Sequence, residues 1–182
     1  MSYIIQTERL GLRNWLEQDK LPFYQMNSDA QVMAHFPAPL SRRQSDESYD
    51  TLRAHFEEHG YTYFATDLLE TQEFIGFIGL KNQNYDYQYA PFTDIGWRLA
   101  TSFWGRGYAT EGAGACLRFA FGHLQAQQIY SVAAHSNLGS MNVMQKIGMT
   151  KIDEFVHPLM AAADPLQPCH CYRISRSEYL SL

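Results

Sequence analysis

The chain has 182 residues, 46% of them hydrophobic, and a formal charge of −5. That is apolar material for one well-cored domain and too little for two, so a single domain over residues 1–182 is expected. With no long basic run, affinity for nucleic acid through phosphate neutralisation is not expected, while the acidic balance inclines weakly toward a cationic amine.

Read from the start, Met1-Ser2-Tyr3-Ile4-Ile5-Gln6 soon turns polar and is not a secretory signal. No apolar run approaches a membrane span, so a cytoplasmic protein without membrane contact is expected. Residues 3–14 read as a strand and 18–27 as a short helix. Two prolines in His35-Phe36-Pro37-Ala38-Pro39-Leu40 forbid a helix there. Ser41 then reads as the N-cap of a helix running to about His59, with Gly60 ending it. Residues 61–68 and 73–82 alternate like a hairpin around Glu70-Thr71-Gln72, and Phe92 to Ala100 add a strand.

A long helix follows from Gly107 to about Gln125, with an apolar stripe at Gly112, Ala115, Cys116, Phe119, Ala120 and Leu124. Next come a strand over 128–135, a short helix over 138–147, a strand near 149–156 and a last strand near 169–175. Ser136 or Asn137 caps the short helix, Lys146 suits its negative end and Gly148 the left-handed position beyond it. Strands and helices interleaved without strict alternation indicate an α/β domain with a mixed sheet. The three cysteines, Cys116, Cys169 and Cys171, are read as buried reduced thiols. Cys169-His170-Cys171 lacks a second ligand pair at zinc spacing, so no metal is expected.

The segment Phe103-Trp104-Gly105-Arg106-Gly107-Tyr108-Ala109-Thr110-Glu111-Gly112 carries the most chemical information. Glycines at 105 and 107, placed between a strand and a helix, gather backbone N–H groups at a positive helix end, where a phosphate or pyrophosphate is held. A triphosphate loop would need Gly-Lys-Ser or Gly-Lys-Thr, which is missing. A dinucleotide fingerprint would need glycine at Thr110 and an acid about 20 residues on, where Gln125 to Gln128 stand. The anion is therefore neither a Walker-type triphosphate nor a typical NAD.

These motifs together resemble the GNAT superfamily of acyl-CoA N-acyltransferases, and within it the branch of the ribosomal-protein N-terminal acetyltransferases. The superfamily's Gln/Arg-x-x-Gly-x-Gly/Ala motif falls on Trp104-Gly105-Arg106-Gly107-Tyr108-Ala109, with Trp104 departing from the first position as is common in that branch. The later Asn-x-x-Ser…Lys-x-Gly pattern matches at Asn137, Ser140, Lys146 and Gly148. The opening Thr7-Glu8-Arg9-Leu10-x-Leu12-Arg13 and the closing Tyr172 to Tyr179 are also similar, so the likeness spans nearly the whole chain.

The resemblance implies the GNAT fold: a mostly antiparallel mixed sheet of about seven strands, flanked by helices and splayed in the middle. It also implies acetyl-CoA and an amine acceptor, either a protein N-terminus or a small molecule, with acetyl transfer by direct attack in a ternary complex. Backbone N–H groups from Arg106 to Thr110 would hold the pyrophosphate, with Arg106 adding charge. The pantetheine arm would lie between Ile95-Gly96-Trp97 and Val132-Ala133-Ala134, with Asn137 against it and an oxyanion donor N–H near Trp97 or Arg98. Ser140 would protonate the thiolate, because Met144 stands where many relatives carry tyrosine.

The residues themselves leave the general base open among His135, whose side-chain type titrates near neutrality, Asp94, Glu73 and a water relay. Glu111 is read as structural, an acid at a positive helix end. Acceptor specificity is expected in three loops: His35 to Leu40 with Ser41-Arg42-Arg43, Asn84 to Tyr89, and His157 to Pro168. The other readings are a non-catalytic acyl-CoA-binding regulatory module and a nucleotide-dependent protein. Both monomer and homodimer remain open.

Overall fold

The computed structural model describes residues 2–160 and 164–182. Its strands are β1 (Ile5–Gln6), β2 (Leu10–Arg13), β3 (Tyr63–Leu68), β4 (Phe74–Gln83), β5 (Phe92–Leu99), β6 (Gln128–Ala134), β7 (Thr150–Val156) and β8 (Pro168–Ser175). Its helices are α1 (Lys20–Ser28), α2 (Arg42–His59), α3 (Tyr108–Gly122), α4 (Leu138–Lys146) and α5 (Arg176–Tyr179). One sheet of eight strands runs in the order β1-β2-β3-β4-β5-β6-β8-β7. Every neighbouring pair is antiparallel except β5–β6, which is parallel and joined at a single position, Asp94 opposite Tyr130. The Ser131 hydroxyl adds one tie, to the Ile95 carbonyl at 2.8 Å. Beyond these links the strands part.

Several boundaries depart from the sequence reading for identifiable reasons. The sheet has eight strands rather than seven because residues 3–14 fold as a tight hairpin, in which the Thr7 N–H and hydroxyl engage Leu10. The first helix starts at Lys20, after a short 3-10 turn over Glu17–Asp19. Asp19 turns inward there, accepting from the Leu16 N–H and from Arg13. Helix α3 stops at Gly122 instead of reaching Gln125. Leu124 donates to the Phe119 carbonyl and Ala126 to that of Ala120, while Gln125 takes φ 55°, the left-handed place usually held by glycine.

Other signals act as read. Ser41 and Gln44 close a reciprocal cap on α2, and Gly60 ends it at φ 77°. Asn137 caps α4 by accepting from the Ser140 N–H at 3.0 Å, and Gly148 follows at φ 85°.

The apolar core lies in two layers. One packs α3 against β2, β4 and β5, and includes Leu10, Ile78, Ile95 and Cys116. The other, beneath α1 and α2, includes Trp15, Phe23, Tyr49 and Phe77. Helix α3 buries more than the expected stripe, since Ala113, Leu117 and Phe121 are buried as well. Burial drives the thiol pKa of Cys116 up and holds those of Cys169 and Cys171 near 11, leaving all three inert.

A charged cluster pins the N-terminal hairpin to β3. Arg13 reaches Asp19 and Asp67, each at 2.6 Å, and all three side chains are almost fully buried. Breaking such a cluster strands charges without partners. Arg13→Met should therefore lower unfolding free energy by about 3–5 kcal/mol, read as a lower urea midpoint.

Candidate active site

The parting of β5 and β6 opens a cavity of about 820 Å³. Past Asp94 and Tyr130, β5 stays paired to β4 as far as Leu99, and β6 to β8 as far as Ala134. The facing edges at 96–99 and 132–134 do not pair with each other, which is the geometry that admits an extended chain between them.

At one end of the cavity stands the glycine loop. Gly105 and Gly107 adopt φ 72° and 81°, conformations that side chains resist. A Cβ built at Gly105 meets nothing within 4 Å, and one at Gly107 meets only the Arg9 guanidinium, at 3.5 Å. The loop is thus bare of protein where a phosphate would approach. Helix α3 has no side-chain cap, and its first helical bond runs from Glu111 to Gly107. The amides of Tyr108, Ala109 and Thr110 therefore have no carbonyl one turn back. Donors of this kind fit a pyrophosphate.

Glu111 is occupied elsewhere. It accepts from the Thr7 hydroxyl at 2.6 Å and from the Arg9 backbone at 3.0 Å, and pairs with the Arg9 guanidinium. Burial alone would raise its pKa, but the bonds from Thr7 and Arg9 prevail and hold it below the usual range. Arg9 also donates to the Arg106 carbonyl and lies over the Tyr108 ring. The first hairpin thereby braces the loop, confirming a structural Glu111 by contacts that the helix dipole alone does not explain.

Ile95, Trp97, Gly107, Tyr108, Ala109 and Thr110 line the cavity, as do Asn137 and Ser140. Arg106 does not; it is exposed, its guanidinium 6.0 Å from the Phe103 ring. Asn137 combines its capping role with a place in the wall. The half-buried Ser140 hydroxyl makes no hydrogen bond to a described residue. Met144 is buried in the same wall.

His135 lies outside the cavity lining, exposed and 4.6 Å from the His170 ring, because β6 ends one residue earlier and the chain turns outward. Glu73 is also exposed and apart from it.

Of the acids considered, Asp94 is the one built into the site. It is 8% exposed, and its pKa is pushed up to about 7 by burial, against the opposing effect of the Tyr63 hydroxyl that donates to it. Gln83 donates to the same hydroxyl at 3.3 Å. Tyr63 on β3 reaches Asp94 on β5 across β4. Tyr63, Gly79 and Gly96 occupy one row of the sheet, and the missing side chain at 96 leaves room for the ring. A Cβ at Gly96 would come within 3.0 Å of that ring.

The loops expected to face an acceptor reach the cavity in part. His35, Phe36, Tyr85, His157 and Leu159 line the cavity. Arg42 and Arg43 instead pair along α2 with Asp46 and Glu47. Within the 157–168 turn, residues 161–163 lie outside the described residues. The sequence reading passed over Tyr63, Gln83 and the side chain of Arg98; glycines inside strands at 79 and 96 were the available sign.

The comparisons agree with this geometry. Residues 9–150 match the acetyltransferase (GNAT) domain family. The chain belongs to the GNAT acetyltransferase family. It is 28% identical to the uncharacterized protein YkkB of Bacillus subtilis over 144 residues, 79% of this chain and 83% of that protein. An acetyltransferase from Agrobacterium tumefaciens superimposes with a TM-score of 0.77 at 27% identity, over 96% of this chain and 95% of the other. A spermidine N-acetyltransferase from Vibrio cholerae, in complex with CoA and spermine, shares the fold with a TM-score of 0.75 at 19% identity, covering 96% and 99%. The protein is thus a GNAT-type N-acetyltransferase with a splayed mixed sheet.

Because Tyr63 donates to the charged form of Asp94, losing that bond must favour the protonated form. Carbon-13 NMR should show Asp94 titrating near 7 and Tyr63→Phe moving the midpoint upward. A midpoint near 4, as for an exposed aspartate, would contradict the site's electrostatics.

Proposed function

We propose that the protein is a single-domain acetyl-CoA-dependent N-acetyltransferase that acts on a primary amine by direct transfer, with Asp94 as general base. One observation carries this reading: a buried carboxyl with a pKa of about 7 lies where the strands part. A binding-only module has no use for a proton acceptor tuned to neutrality.

Acetyl-CoA supplies the acetyl thioester. The amides of Tyr108 to Thr110 would hold its pyrophosphate, and the open edges at 96–99 and 132–134 its extended arm. The Asn137 side chain would contact that arm while capping α4. A backbone N–H at Trp97 or Arg98 would donate to the thioester carbonyl oxygen. Asp94 would take a proton from the acceptor ammonium, directly or through water, leaving the nitrogen lone pair free to attack. Tyr63 would keep the carboxylate oriented and prevent its pKa from rising further. Ser140 would donate a hydrogen bond to the departing thiolate; its hydroxyl is too weakly acidic to act as a free acid. That the Vibrio cholerae neighbour holds CoA supports the choice of acyl donor.

Three outcomes test this reading. For an accepted amine, kcat/KM should rise with pH to a plateau, with an inflection near 7, and Asp94→Asn should lower it by about 10²–10⁴-fold while leaving acetyl-CoA affinity unchanged. Gly107→Val should abolish acetyl-CoA binding in calorimetry with the circular dichroism spectrum intact. Unaltered binding would remove the loop from the site.

A further inference from the structure

Arg98 has charge and donors that the protein leaves unused. It shares a face of β5 with Asp94 and Gly96 and lines the cavity. Its guanidinium lies 4.0 Å over the Phe36 ring and 5.4 Å from that of Phe77. Nη1 donates to Asn27 Oδ1 at 2.7 Å. Asn27 is itself fixed, donating to Ser45 on α2 at 3.0 Å. Nε is closed off from solvent without an acceptor, and Nη2 makes no hydrogen bond to a described residue.

The other arginines near the N-terminal hairpin provide a contrast. Arg13 faces two carboxylates and Arg9 faces Glu111. Among the described residues, no carboxylate comes within ion-pair distance of Arg98. Burial lowers its pKa only to about 10, so the group remains cationic at neutral pH. The chain Ser45–Asn27–Arg98 and the two rings thus fix the guanidinium in place without neutralising it. A half-buried cation left with free donors is completed most simply by an anion whose oxygens match its planar donors.

We propose that the acceptor is a small amine bearing a carboxylate, of amino-acid type, and that Arg98 pairs with this carboxylate while the amine is presented to Asp94. The inference rests on the acetyltransferase reading above and names its substrate class. A polyamine would bring further positive charge beside an unneutralised arginine, which disfavours that class here. Phe36 carries the 29–41 connection onto the guanidinium, so the same contact that orients Arg98 forms part of the cavity wall.

The test uses the full-length protein with CoA present. Amino acids of increasing amine-to-carboxylate separation are each compared with the matching carboxamide and with a diamine, by calorimetric binding and by acetyl-CoA-dependent thiol release. At least one carboxylate-bearing amine should exceed its carboxamide by tenfold or more in affinity and in kcat/KM. Arg98→Met should abolish that preference and Arg98→Lys retain part of it. Equal handling of acid and amide by the wild type, preference for the diamine, or failure of every carboxylate-bearing amine to bind would overturn the proposal. So would a preference that survives Arg98→Met. The wild-type comparison decides the matter even if a variant fails to fold. Failure of the underlying acetyltransferase reading has a separate signature, absence of acetyl-CoA binding to the wild type.

Discussion

Everything chemical in this fold follows from two strands that pair at one ladder position and part beyond it. β5 and β6 are parallel neighbours held by the Asp94–Tyr130 pairing and by the Ser131 hydroxyl on the Ile95 carbonyl. Each strand is fully committed on its other side, β5 to β4 and β6 to β8. Past the junction, the two facing edges retain backbone donors and acceptors without mutual partners. An extended ligand that pairs with them replaces the missing ladder. Helix α3 departs from the end of β5, so its uncapped amides lie at the outer end of the same gap. The gap and the anion cradle are thereby one construction.

On the opposite face of β5, the same strand arranges the groups proposed for acceptor chemistry by alternation. Asp94, Gly96 and Arg98 are spaced by two. The middle one has no side chain and leaves room for the Tyr63 ring. A proton acceptor near neutrality and an unneutralised cation are therefore held on one rigid strand, and their electrostatic character comes from burial rather than from loop motion. The loop carrying Phe36 contributes by packing onto a group that the sheet already positions.

Local signals made much of this legible in advance. Ser41, Gln44 and Gly60 mark the ends of α2 by capping chemistry that needs no tertiary partner, and the 105–107 glycines identify the cradle by the same logic. The resemblance at Gly105 to Ala109 and at Asn137 to Gly148 extends that reading to the whole fold. Features made by distant contacts were harder to see. The break in residues 3–14 is stabilised by Glu111, and the left-handed Gln125 that ends α3 early carries no glycine to announce it. The role proposed for Asp94 depends on Tyr63, which reaches it past Gly96, a relation visible only once strand register is known. His135 is the converse case, a residue of suitable chemistry at the end of a strand whose next turn carries it away from the cavity. Nothing in the sequence marks the Arg98 side chain; only its surroundings show that no carboxylate among the described residues faces it.

Amide hydrogen exchange with and without acetyl-CoA addresses the central claim most directly. If the parted strands and the uncapped helix form one ligand site, acetyl-CoA will slow exchange at Gly107 to Thr110 and along the open edges at 96–99 and 132–134, leaving β1 to β3 unchanged. Exchange unaltered at those amides, or protection confined to another part of the molecule, would contradict the account.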